Sequence, residues 1–380
     1  MGSKQQTARL GEEEKINRLR LVRSESIGPA RFFKLIDRFG SATKAVSAHP
    51  NWSIGQTGRT ALRLIDRDLV EWEIEQVSKL GGRFLHICDS DYPLQLASID
   101  APPPVLTTLG DQALLERRCL AIVGARNASA GSCRLARRFA QTMGEKGFAI
   151  VSGLASGIDT ASHQGGLESG TIAVTACGLD VIYPESNQAL YREIAAKGLI
   201  ITEFPLGTQP KARHFPTRNR IVSGLSQGVL VIEAALRSGS LITAGLAATQ
   251  GRDVFAVPGS PMDPRCRGTN DLIRKGAILT ETPDDILDNL GPAPHPVFTP
   301  REKEPPSFEV KNPGPPADPL PTSTGNINFR IENALSHTQI HVDELARELS
   351  LNIQELHAAL VEMELLGKIA RLPGGYVCKP

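Results

Sequence analysis

The chain contains no run of about eighteen apolar residues, which excludes an obvious membrane-spanning helix. Its first residues, MGSKQQTARLGEEEKINRLR, lack the apolar core of a secretion signal, so no membrane partner and a cytoplasmic location are expected. Six cysteines are scattered without a CxxC pair or a His at metal-ligand spacing, which argues against a zinc site and for free thiols. Cys266, flanked by Arg265 and Arg267, has neighbours that would lower its pKa. There is no GxGxxG fingerprint, no GxxxxGK[ST] loop, no GxSxG and no HExxH, which disfavours nicotinamide, ATP and common hydrolytic chemistries. No catalytic residue, metal or cofactor is therefore expected. Charge of one sign is lacking too: the net charge is +1, so any attraction for a polyanion must be local. Aromatic residues are 5% of the chain, too few for extensive base stacking.

What is present is an ordinary globular composition, 41% hydrophobic and 22% charged over 380 residues, enough for two or three domains. Between 114 and 290, short apolar runs at 119–123, 148–151, 172–176, 199–202, 229–232 and 254–257, with a last one at 277–280, alternate with helix-length segments. That alternation predicts a Rossmann-like, doubly wound, mostly parallel sheet. Residues 12–80 follow a helical period, and Ser26-Ile27-Gly28-Pro29-Ala30 resembles the turn of a helix-hairpin-helix. Residues 88–109, with Pro102-Pro103-Pro104, read as an extended lead-in, and 291–324 as a proline-rich linker. The last segment reads as a winged helix. The expected domains are 1–85, 86–290 and 325–380, with the linker at 291–324.

Ligands of such sheets bind beyond the carboxyl ends of the strands. There the chain offers Arg126 after the first strand, Ser152 and Gly153 after the second, and Glu233 with Ser238, Gly239 and Ser240 after the fifth. Lys211, Arg213, Arg218 and Arg220 fall in a stretch, 204–232, without a carboxylate. Arg218 and Arg220 are expected on or just before a helix start, where N–H groups, dipole and guanidinium all favour phosphate. Phe215 is the aromatic best placed to contact a base. A solvated basic loop is the plainer alternative. Glu233 is the best acid–base candidate by position, or else the residue that holds Arg218 or Arg220; His163 and Asp159, four apart, can share a helix face. Residues 291–380 carry 8 Lys/Arg against 11 Asp/Glu. The expected recognition helix, 352–366, holds Glu355, Glu362 and Glu364 and no Lys or Arg, which favours a protein-contact or structural role.

The motifs GARNAS, SGLASGIDTASHQGG, GLDVIYP, HFPTRNRIVSGLS, VIEAALRSGSLITA, GRDVFAVPG and GTNDLIRKGA, in this order over about 110–290, closely resemble the DNA-processing protein A family (DprA/Smf). The resemblance implies an extended Rossmann-type domain that binds single-stranded DNA, forms a homodimer and helps load RecA onto incoming strands during natural transformation, without being an enzyme. Carried onto this sequence, it implies a pocket of Arg126, Ser152, Gly153, Phe215, Arg218, Asn219 and Arg220, extended by Lys211 and Arg213. Ser238, Gly239 and Ser240 would cradle phosphate. A Rossmann-like protein that binds or hydrolyses a small nucleotide is the alternative.

Overall fold

The computed structural model describes residues 10–49, 63–290, 327–336 and 339–380; the expected linker lies outside them. The described residues open with four helices, α1 (Glu12–Arg23), α2 (Pro29–Phe39), α3 (Ala42–Ser47) and α4 (Arg67–Lys79). In the turn between α1 and α2, Ser26 takes a positive φ and Gly28 starts α2 with proline at its first position, where the missing N–H costs nothing. Leu21, Ile27, Phe32 and Leu35 close a small core around this turn.

The central sheet is built from β1 (Gly82–His86), α5 (Leu94–Ala97), β2 (Val105–Gly110), β3 (Cys119–Gly124), α6 (Ala130–Glu145), β4 (Ala149–Ser152), α7 (Ile158–Gly166), β5 (Thr171–Val174), α8 (Gln188–Lys197), β6 (Leu199–Thr202), α9 (His214–Leu225), β7 (Gly228–Ile232), α10 (Gly239–Thr249), β8 (Asp253–Ala256), α11 (Arg267–Arg274), β9 (Ile278–Leu279) and α12 (Pro283–Asn289). Its strand order is β1-β2-β6-β5-β4-β3-β7-β8-β9. All pairings from β6 to β9 are parallel. The expected extended lead-in, 88–109, instead holds α5 and most of β2, which pairs antiparallel with β6 and, on its other side, with β1.

Strands buried on both faces explain the unbroken apolar runs: β4, β5, β6 and β7 have no exposed residue. One face is covered by α5, α9 and α10, the other by α6, α7 and α12. The strand order reverses between β3 and β7, where the backbones come so close that a Cβ on Gly124 would stand 2.0 Å from the Ile232 carbonyl oxygen. Reaching β7 from β6 requires the chain to pass under β5, β4 and β3, and α9 makes that passage. Its stripe of His214, Arg218, Ile221, Val222 and Leu225 follows the helical period and faces the sheet.

The C-terminal unit comprises α13 (Ile327–Ala334), β10 (Ile340–His341), α14 (Val342–Leu349), α15 (Ile353–Leu365), β11 (Ala370–Leu372) and β12 (Tyr376–Cys378). Three helices and a three-stranded sheet of order β10-β12-β11 make it a winged helix around Leu345, Leu356, Leu360 and Met363. Ala130 of α6 joins that core, so the unit is packed against the central domain.

Candidate nucleic-acid interface

The carboxyl ends of β3, β4 and β5 and the start of α9 meet on one shelf. His214 opens α9 and fixes its entry: Nδ1 lies 3.2 Å from the Ala176 carbonyl beyond β5, and the ring stacks on Phe204 at 4.5 Å. Burial, with Arg213 and Lys211 adding to it, holds the His214 pKa below its ordinary value, so the imidazole is neutral and donates from Nδ1. One residue on, Phe215 lies half-buried under the exposed Arg126, whose guanidinium carbon is 4.7 Å from the ring centroid. Tyr183, from the segment after β5, tilts against the same ring at 5.7 Å. Lys211 and Arg213 are exposed just before the helix.

Arg218 comes from below. It stands in the second turn of α9, not at its start, and is only 4% exposed. Its guanidinium lies against Gly153, where a Cβ would come within 1.6 Å of Nη1, so glycine is what makes room for it. Asp159 is close enough to raise the Arg218 pKa, but its carboxylate is held by the backbone N–H groups of Gly153 and Ala155 at 3.2 and 3.3 Å. The Arg218 Nε is buried without a hydrogen-bond partner among the described residues. Burial pulls the guanidinium down to about 10, and Arg126 adds to the pull, yet it remains charged at neutral pH. A buried guanidinium with an unsatisfied N–H is costly, and an anion brought to the shelf relieves that cost.

Other expected residues fall elsewhere. Arg220 does not join Arg126 and Arg218: Nη2 pairs with Glu203 and Nη1 donates to the Ala101 carbonyl at 2.6 Å. Glu203 lies one position outside the carboxylate-free stretch, which is why charge counting missed it. Ser152 is fully buried and spends its hydroxyl on the Ile122 carbonyl at 2.7 Å. The turn after β4 does not offer its amides outward either. Asp159 takes two, and the Leu154 N–H is directed to His163 Nε2 at 3.3 Å. His163 Nδ1 meets Thr171, and burial lowers its pKa to about 3; His163 and Asp159 thus brace the turn and do not bond each other. Asn219 reaches toward the Gly239 carbonyl at 3.5 Å, beside the start of α10, where Ser238 and Ser240 bond each other at 2.7 Å.

Glu233, beyond β7, holds neither arginine of α9. Its carboxylate accepts from the Ser129 and Ser132 hydroxyls at 2.6 and 2.7 Å and sits at the N-terminus of α6, with Arg265 at 3.8 Å. Burial, reinforced by Asp263 and Glu233, pushes the Cys266 thiol up to about 11, opposite to the effect expected of its flanking arginines.

Comparison with known proteins gives the family. The family model for DNA recombination-mediator protein A matches residues 83–291. The chain belongs to this family. Models for the family's N-terminal helix-hairpin-helix domain and its winged helix match 12–75 and 315–375. Protein Smf of Escherichia coli K12 is 40% identical over 298 residues, covering 77% of each chain. Protein Smf of Synechocystis is 32% identical, covering 92% of this chain and 95% of the relative. Among solved structures, DNA processing protein A of Streptococcus pneumoniae aligns at TM-score 0.63 and 31% identity, over 74% of this chain and 99% of that one. DNA processing protein A of Helicobacter pylori, described for its single-stranded DNA binding mode, aligns at TM-score 0.51 and 32% identity, over 55% and 95%. Among the family motifs, HFPTRNRI supplies both Phe215 and Arg218, and GLDVIYP supplies Tyr183, which sequence reasoning quoted without giving it a role.

Proposed function

We propose that this chain is a recombination mediator that binds single-stranded DNA on the shelf of Arg126, Phe215 and Arg218, and acts without catalysing a reaction. The observation that carries the reading is Arg218, a buried guanidinium with an unpartnered Nε against Gly153 at the carboxyl edge of the sheet. Lys211 and Arg213 extend the path as exposed cations for phosphate, and Phe215, backed by Arg126, offers a face for one base. Asn219 with Ser238, Gly239 and Ser240 forms a secondary polar margin. Gly153 acts by leaving space, while Ser152 and Arg220 have structural roles. The non-enzymatic reading is supported by Glu233 and His163, the two general-base candidates, both of which spend their polar atoms inside the fold.

Family membership extends the proposal to loading RecA, to a homodimer and to a cytoplasmic setting; no helix among the described residues is long and apolar enough to cross a membrane. The test is fluorescence anisotropy of a labelled oligothymidylate at low salt with wild type and Arg218→Glu. Wild type should bind, preferring single strand over duplex, and the variant should lose most of that affinity. Equal binding by the two proteins sinks the assignment of the site.

A further inference from the structure

α6 leaves the carboxyl edge of β3 directly after the turn that carries Arg126, and its opening turns bear Arg134 and Arg137, three apart and so on one face. In this conformation both are covered by carboxylates of the winged helix. Arg134 pairs with Glu344, and Arg137 Nη1 pairs with Glu348 at 2.6 Å; the two glutamates, four apart, line one face of α14. The docking is oriented at the same sheet edge, because Arg265, beyond β8, donates to the Asn333 and Leu335 carbonyls at 2.9 and 2.7 Å. Two carboxylates thus sit on two arginines of the helix that follows the Arg126 turn.

We propose that Arg134 and Arg137 are a second segment of the strand-binding surface, and that Glu344 and Glu348 occupy it as an acidic latch in place of phosphates. The inference rests on the reading of the shelf as a single-strand site. Both arginines are more than a third exposed, and Glu344 is too, so the Arg134 pair is weak and opens first, while Glu348 is the more covered partner. A strand already anchored at Arg126 and Arg218 delivers its next phosphates at high effective concentration, which lets it displace the glutamates. A strand too short to reach α6 gains nothing from the exchange.

The experiment uses the full chain carrying Glu344→Gln with Glu348→Gln, and oligothymidylates of two lengths, one that fills only the shelf and one several times longer. The long strand should bind the variant about threefold to tenfold more tightly than wild type, as expected for a pair of uncovered phosphate contacts, while the short strand binds both equally. Because both glutamates lie outside the core of the winged helix, the variant keeps its fold, which its melting curve checks. A second variant, Arg134→Gln with Arg137→Gln, opens the same latch but removes the surface beneath, and should show no gain. Unchanged long-strand affinity in the glutamate variant overturns the proposal, and so does an equal gain in both variants, which would credit mere release of the domain. Failure of wild type to bind even the short strand removes the reading of the shelf, and this proposal with it.

Discussion

The two sides of α9 carry one arginine each, two residues apart, and the fold uses them oppositely. Arg218 points beneath the parallel strands, where its Nε finds no partner among the described residues. Arg220 points toward the antiparallel corner made by β2 and β6 and is fully engaged: Glu203 takes one nitrogen and the Ala101 carbonyl another. Glu203 is a junction, since its own carbonyl accepts from Arg23 at 2.8 Å, and Arg23 in turn grips Glu73 at 2.9 Å and so ties the N-terminal helices to the sheet. One helix thus presents a cation held for a ligand and a cation held for the structure. Identical side chains acquire different roles because Glu203 pairs directly with Arg220, whereas Asp159, near Arg218, is held by backbone N–H groups.

The contrast breaks most visibly under Arg220→Met. That substitution leaves the mostly buried Glu203 without its ion-pair partner, its other oxygen already lacking a hydrogen bond among the described residues, and should cost up to about 3–5 kcal/mol in denaturant unfolding. The fraction that remains folded should bind single strands as wild type does. A large loss of affinity at unchanged stability would reverse the roles assigned to the two arginines.

Arg218→Met should invert that pattern. Removing a charge-assisted contact to phosphate should cost about 1.5–3 kcal/mol of binding, measured by anisotropy. Stability should fall by no more than about 1 kcal/mol, because Asp159 keeps its two backbone donors. Phe215→Ala should have a smaller effect on the same side of the helix, about 1 kcal/mol, the low end for a base stacked on an aromatic ring, since Arg126 and Tyr183 already contact the ring. The deficit should vanish with an abasic oligonucleotide; a deficit that persists there would make Phe215 a prop for Arg126 and not a platform for a base.

The difference between the two arginines was not legible in the sequence, although the sheet was. Runs such as 229–232 announce buried parallel strands because both faces exclude water, and β3 to β8 follow from them. β1 stayed hidden because an antiparallel edge strand lacks such a run, and β2 because the prolines at 102–104 made its segment read as an irregular connection. The side-chain partners were hidden for a different reason. Glu203 reaches Arg220 across the sheet corner, and Glu233 reaches Ser129 and Ser132 only because β3 and β7 are neighbours at the point where strand order reverses. Composition can report that a stretch has cations and no carboxylates, but the carboxylate that matters is the one the topology brings back. Phe215 and Arg126 were found by motif, yet that they share one stack is a fact of the fold.

The smallest effect separates the two arginines by titration. Burial already raises the Glu203 carboxyl above its ordinary pKa, and Arg220 and Arg23 only restrain the shift. A native carboxyl with a raised pKa binds its proton before the unfolded one does, so its contribution to stability falls as pH rises through that window. Removing Arg220 lifts the Glu203 pKa further and widens the window upward. The stability deficit of Arg220→Met relative to wild type should therefore be greatest near neutral pH and shrink as the carboxyl protonates and no longer needs a cation. Denaturant melts of both proteins at about pH 7 and about pH 5 measure the gap. A gap of equal size at both values would mean that Arg220 stabilises the corner by packing and by its bond to Ala101, with the charge of Glu203 playing no part.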